Sequence, residues 1–328
     1  MRCHTYNSAV TDNTALGHAT QNNIQIVIQK LEVSLQGGQL NEELNKEFSN
    51  FLQLLKSDIH PNQTETNFHN TMTAHEQAGL NSPEDLQTHC FPKLGPVRDN
   101  WLRSVSRYDH DGCTAIKALD SESLKLLLAW LAQSKPDILL IGVKPELDDS
   151  SWTIHLLLET RRIFEIAYLG DERTSSAITT HLCPRSEVNQ DYGPEIILQD
   201  LLLQIIEAHP KRFDESTVAT IRDAAHEPDE LWEMITRCIR QAQIRTLVIL
   251  IYDIDQMFLE SFKATRSDDF KFAQSLNECI RSLHKKNGIT VKTMVTSRLP
   301  KATHCFKKIG AMHIAIRDPP YRRFRTDD

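Results

Sequence analysis

The sequence predicts an α/β fold: a doubly wound, five-stranded parallel sheet covered on both faces by helices. Two observations carry that expectation. First, five apolar, β-prone runs recur at 138–143, 163–169, 246–254, 291–298 and 312–318, nearly continuous rather than alternating, which marks strands buried on both faces. Second, helical periodicity occupies the intervals at 152–161, 194–208, 229–243 and 269–285, so strands and helices alternate as a parallel sheet requires. A further helix precedes the first strand, with Asp120 as its N-cap over SESLKLLLAWLAQS and Pro136 ending it.

Upstream, the texture differs. Residues 1–22 are polar and read as a disordered N-terminus. Over 23–56, Ile24, Val27, Ile28, Leu31 and Leu35 form one stripe, and Leu40, Leu44, Phe48, Phe51 and Leu55 form another. Glycines at 37 and 38 separate them, so this region is expected to be a helical hairpin, with self-association through 24–55 as an option. Residues 57–100 are rich in Asn, Thr, His and Gln and read as a linker, leaving 101–328 as the α/β domain.

Composition narrows the function classes. With 37 Lys and Arg against 44 Asp and Glu, the net charge of −7 disfavours a general nucleic-acid binder, whose surface must neutralise phosphates. Membrane insertion is not expected, because no apolar run approaches the roughly 20 residues a bilayer span needs. Seven scattered cysteines and no apolar N-terminal leader point to a cytoplasmic chain with reduced thiols.

Three strand ends hold the candidate chemistry. The run ILLIG ends at Gly142, where a phosphate-binding loop would begin. Such a loop wraps phosphates in glycine amides, neutralises them with lysine and holds magnesium with a hydroxyl. Counting from Gly142 puts Leu147 in the second glycine slot, Asp148 in the lysine slot and Asp149 in the hydroxyl slot. One extra loop residue moves Asp149 to the lysine slot and Ser150 to the hydroxyl slot. Either register places an acid where the cation belongs. Two unit charges about 4 Å apart interact by roughly 4 kcal/mol at an effective dielectric near 20, so the inversion replaces attraction by comparable repulsion.

The second strand end is LVILIYDIDQ, which presents Asp253 and Asp255 where hydrated magnesium is commonly held; in an extended segment these alternate residues point the same way. The third, VKTMVTSR, ends in Ser297 and Arg298, suited to a phosphate, an attacking water or the capping of the next segment.

Taken together, ILLIG, the PEIILQDLLLQIIEAHP helix, LVILIYDIDQM and VKTMVTSRLP resemble the P-loop domain of signal-transduction NTPases, specifically the NACHT or nephrocystin-3-like type common in fungal proteins. The resemblance spans about 124–318. It implies a P-loop sheet of order 2-3-1-4-5 with the loop strand central, and a regulatory ATP or GTP switch. The departures are specific. Where the family's magnesium strand ends Asp-x-x-Asp-Glu, this chain reads Tyr252-Asp-Ile-Asp255-Gln256, so the glutamate is replaced. A catalytically degenerate, truncated relative follows: a regulatory or scaffolding module with protein partners, no expected cofactor and no catalytic residue. Its vestigial nucleotide site would comprise Gly142, Ser150, Asp253, Asp255, Ser297 and Arg298. The alternative is an unorthodox NTPase that binds ATP or GTP with magnesium through Asp253 and Asp255.

Nucleophilic chemistry has less behind it. Ser150 and Ser151 lack a G-x-S-x-G elbow. The neighbours His181 and Cys183, and the pair His304 and Cys305, lie within single segments, whereas a catalytic Cys–His pair normally joins separate ones.

Overall fold

A computed structural model describes residues 119–143 almost continuously, then 150–165, 175–183, 193–213, 227–260 and 267–316, with a few positions between 91 and 116 and between 217 and 221. The helical stripes of 23–56 and the polar N-terminus lie outside the described residues.

Helices and strands alternate along the chain. The order is α1 (Ser121–Ala132), β1 (Asp137–Val143), α2 (Ser150–Phe164), β2 (Ser176–Leu182), α3 (Pro194–Ala208), α4 (Pro228–Gln241) and β3 (Thr246–Tyr252). It continues with α5 (Asp255–Glu260), α6 (Ser267–Asn287), β4 (Thr290–Ser297), α7 (Pro300–Lys308) and β5 (Met312–Ile316). Asp120 caps α1 as its side chain suggests, its carboxylate accepting from the backbone of Glu122 and Ser123. Helices α3, α4 and α7 open on prolines, which lose nothing there because the first helical N–H groups have no partner.

All five strands are parallel, in the order β2-β3-β4-β1-β5. As in the expected order, β3 lies beside β2 and β5 holds the far edge; β4, however, stands between β3 and β1 and is the middle strand. Burial of β4 along nearly its whole length suits it to that place, and the short, partly exposed β5 suits an edge. The side chains obey the two-residue period of a strand. Leu247, Ile249 and Ile251 face one core with α3, α4, α6 and α7, while Val248, Leu250 and Tyr252 face the other with α1 and α2. Two cores, one on each face, bury both sets of strand side chains.

The second strand differs from the expectation. Residues 163–169 were expected to form it, yet Ile163 and Phe164 complete the last turn of α2. With Leu156, Leu157 and Thr160 they form one buried helical stripe. The strand is SAITTHL instead, whose small and hydroxyl residues hide it from a search for apolar runs, although its Ile and Thr favour extended backbone. It is an edge strand with every position buried. Gln204 on α3 explains this: its amide accepts from Thr180 N at 2.7 Å and donates to Thr180 O at 2.8 Å, as a neighbouring strand would.

Part of the expected linker belongs to the fold. Phe91 and Leu94 are buried in the core around α3 and α4. Arg98 holds Asp200 at 3.0 Å and Glu207 at 2.6 Å, both on α3. Few apolar residues mark 57–100, and two of them, Phe91 and Leu94, are anchors. Among the described residues, no helix is long and apolar enough to cross a membrane.

Candidate functional site

The carboxyl ends of β1, β3 and β4 bring five of the six sequence-predicted site residues to one end of the sheet. Gly142 on β1 is in register with Ser297 on β4, and Ile251 near the end of β3 is in register with Val295. Thus β4 sets Ser297 and Arg298 between the glycine and the two aspartates. Ser150 is the first residue of α2. Residues 144–149, including Asp148 and Asp149, lie outside the described residues.

Asp253 and Asp255 are not on an extended segment. The strand stops at Tyr252, Asp253 adopts φ +52° in the left-handed region, and Asp255 begins α5. That conformation is uncommon for a side chain with a Cβ, although Asp tolerates it better than most. Backbone bonds hold the turn in place: Asp253 N donates to Thr296 Oγ1 at 2.8 Å, and Ile254 N donates to Thr296 O at 3.1 Å. The β3 exit is thereby pinned to the last residues of β4.

Both carboxylates turn inward. Arg298 Nη2 donates to Asp253 Oδ2 at 3.0 Å, and its Nε lies 3.7 Å from Asp255 Oδ2. Asp255 Oδ1 accepts from Ser297 Oγ at 2.5 Å and from Leu299 N at 3.2 Å, while Oδ2 accepts from Arg298 N at 2.7 Å. Each aspartate is only 3% exposed, beneath an Arg298 side chain that is 30% exposed. Burial pushes the Asp255 carboxyl above the usual carboxylate range; the Asp253 charge adds to this, and the Ser297 and backbone bonds oppose it.

Asp255 therefore acts as a latch. Its carboxylate satisfies two backbone N–H groups just ahead of α7, whose N-cap residue Leu299 has no side chain able to do so. This is the capping role open to the TSR strand end, filled by Asp255 from the start of α5. A carboxylate bound on both oxygens has little capacity left for a metal ion or a proton in transit. Among the described residues, no group of three or more His, Cys, Asp and Glu is placed to hold a metal ion.

Gly142 has a steric explanation in the structure. A Cβ there would meet the Nε2 of His313, on the adjacent strand β5, at 2.6 Å. The missing side chain thus admits an imidazole against the end of β1. Burial, then the nearby Lys307 charge, lowers the His313 pKa from its ordinary value, which favours the neutral ring. No local sequence pattern signals this pairing, because register across β1 and β5 decides it.

The thiol candidates divide in the structure. His181 is fully buried and its Nδ1 lies 2.7 Å from Asp200 Oδ2, so it belongs to the bonded chain that runs through Asp200 to Arg98. Cys183 is buried beyond β2. On α7, His304 is exposed and Cys305 buried, so adjacent residues face different surroundings.

Compared with models of known protein families and with curated protein sequences, the chain matches none.

Proposed function

We propose that the chain is a non-hydrolysing, P-loop-like regulatory or scaffolding module of the NACHT class that works through protein contacts rather than nucleotide turnover. One observation carries this reading: both oxygens of Asp255 and one oxygen of Asp253 are bonded to neighbouring protein groups at the strand ends. Asp253 and Asp255 bind Arg298, Ser297 and the backbone ahead of α7, and so serve to join two loops. The sequence of the adjoining loop agrees, since Asp148 and Asp149 fall where a phosphate-neutralising lysine would stand. The parallel sheet, with β1 ending in Gly142 and β4 beside it, is compatible with a P-loop arrangement.

The test is thermal unfolding of the purified chain with ATP, GTP, ADP or GDP plus magnesium. No shift is expected. A ligand at 100 times its Kd adds about 2.7 kcal/mol of stability, so binding would be plain in the melting curve and would overturn the proposal. Phosphate release that falls in Asp253→Asn would instead establish the unorthodox NTPase.

A further inference from the structure

The amino end of the sheet has the opposite character. Helices in this fold run antiparallel to the strands, so the C-termini of α4, α6 and α7 gather there. Their last turns carry Arg240, then His284, Lys285 and Lys286, then Lys307 and Lys308. Arg245 leads into β3, and Arg281 lies one turn before the end group of α6. Arg240, Arg245, Arg281, Lys285, Lys286 and Lys307 are all exposed, and among the described residues none pairs with a carboxylate.

These cations form one continuous rim. Thr290 N donates to Arg245 O at 2.9 Å, and Gly288 N donates to His284 O at 2.9 Å, which joins the α6 end to the start of β3. A shallow hollow lined by Asp137, Asn277, Arg281 and Gly310 continues the rim, and Gly310 N donates to Lys307 O at 3.0 Å. Among the described residues, nearby acids are few. Asp137 is half-buried and faces Lys292, and Glu278 accepts from Gln274 at 2.8 Å.

Helix dipoles account for only part of the charge. Each C-terminus carries about −0.5 of an elementary charge, so three of them offset roughly a quarter of six cations. A surplus remains on a chain whose net charge is −7. Screening over about 8 Å at physiological salt lets this local surplus act without cancellation by distant acids. Its form also speaks to the partner. The charges sit on exposed lysine and arginine tips spread along a rim, not on guanidinium forks converging in a cleft as phosphate recognition favours. A long polyanion would run past the rim onto the surface of a net-acidic chain, whereas a short acidic segment would not.

We propose that this basic rim docks an acidic peptide segment of a partner protein. The inference rests on the reading of the chain as a protein-interaction module and names the chemistry of its partner. The test is fluorescence anisotropy of the full chain with a labelled twelve-residue peptide of alternating Glu and Asp, at low and at physiological salt. Binding that weakens with salt is expected, together with at least a tenfold loss in the triple variant Arg245→Glu, Lys285→Glu, Lys286→Glu. The paired variant Lys125→Glu, Lys271→Glu, which alters exposed cations outside the rim, keeps the affinity to within about twofold. Circular dichroism checks that both variants fold, and because every changed side chain is exposed, matched spectra are expected. Absence of binding by the wild type, equal loss in the two variants, or tighter binding of a single-stranded oligonucleotide of equal charge overturns the proposal. Nucleotide binding is read at the opposite end of the sheet, so either proposal can fail while the other stands.

Discussion

The two ends of the sheet solve opposite problems. At the carboxyl end, Asp253, Asp255, Ser297 and Arg298 are bonded to one another, and the two aspartates and Ser297 are buried beneath the Arg298 side chain. At the amino end, Arg240, Arg245, Arg281, Lys285, Lys286 and Lys307 stand exposed without carboxylate partners among the described residues. In open parallel sheets ligands usually gather at the carboxyl end. Here that end resembles a joint and the other end a contact surface. Charge placed inside a fold stabilises geometry, whereas charge left outside is available to a second molecule.

The sharpest way to break this contrast is to unmake the joint. Asp255→Ala takes the acceptor from Arg298 N and leaves Ser297 Oγ and Leu299 N only their bonds to Leu299 O and Ser297 Oγ, and should cost about 2 kcal/mol in urea unfolding, since a buried donor that loses its acceptor is expensive. A loss under 1 kcal/mol would mean that the carboxylate does not hold the two loops together. Asp200→Asn tests a second internal charge of similar weight, because breaking one partner of a buried ion pair typically costs about 3 kcal/mol or more.

Asp200 also carries a pH signature. Burial alone would raise its pKa, but the His181 bond and charge and the Arg98 charge hold it below the ordinary value. Its folded-state pKa is thus depressed. The associated stability is present above the unfolded value near 3.9 and disappears as pH falls through the lower, folded value. Wild type should therefore lose stability on acidification below about pH 4, and Asp200→Asn should lose less over the same window. Equal slopes in the two proteins would refute the assignment.

A smaller effect probes Gly142. Gly142→Ala should cost about 2 kcal/mol by overpacking against His313, and the double variant with His313→Ala should recover most of it. Failure of that rescue would mean the glycine serves something other than the imidazole. The smallest expected change is a gain. Gln243 is exposed at φ +58° just beyond α4, so Gln243→Gly should stabilise the chain by about 1 kcal/mol in the same assay.

How much of this was legible beforehand depends on the kind of information each feature uses. The runs ILLIG, LVILIY and VKTMVTS announced themselves as strands because burial on both faces demands continuous apolar or β-branched residues. SAITTHL did not, since Thr179, Thr180 and His181 are buried with partners that lie on other elements. Asp253, Asp255, Ser297 and Arg298 were legible as a group, but their binding to one another was not. Two aspartates two residues apart look like a metal site in extended backbone, and only the left-handed turn at Asp253 redirects them toward Arg298. The link from Gly142 to His313 depends on inter-strand register, and so does the basic rim on the shared direction of the helices. Local sequence encodes neither.

Lys292 gives the molecule an internal clock. It lies on the middle strand with 1% of its surface exposed, donates to Trp130 O at 2.6 Å, and has its amine 5.8 Å from the centre of the Trp130 ring. An acylating reagent in solution meets that nitrogen only in moments when α1 lifts from β4. The labelling rate at this single amine, set against the exposed lysines of the same chain, measures how often that face of the sheet opens.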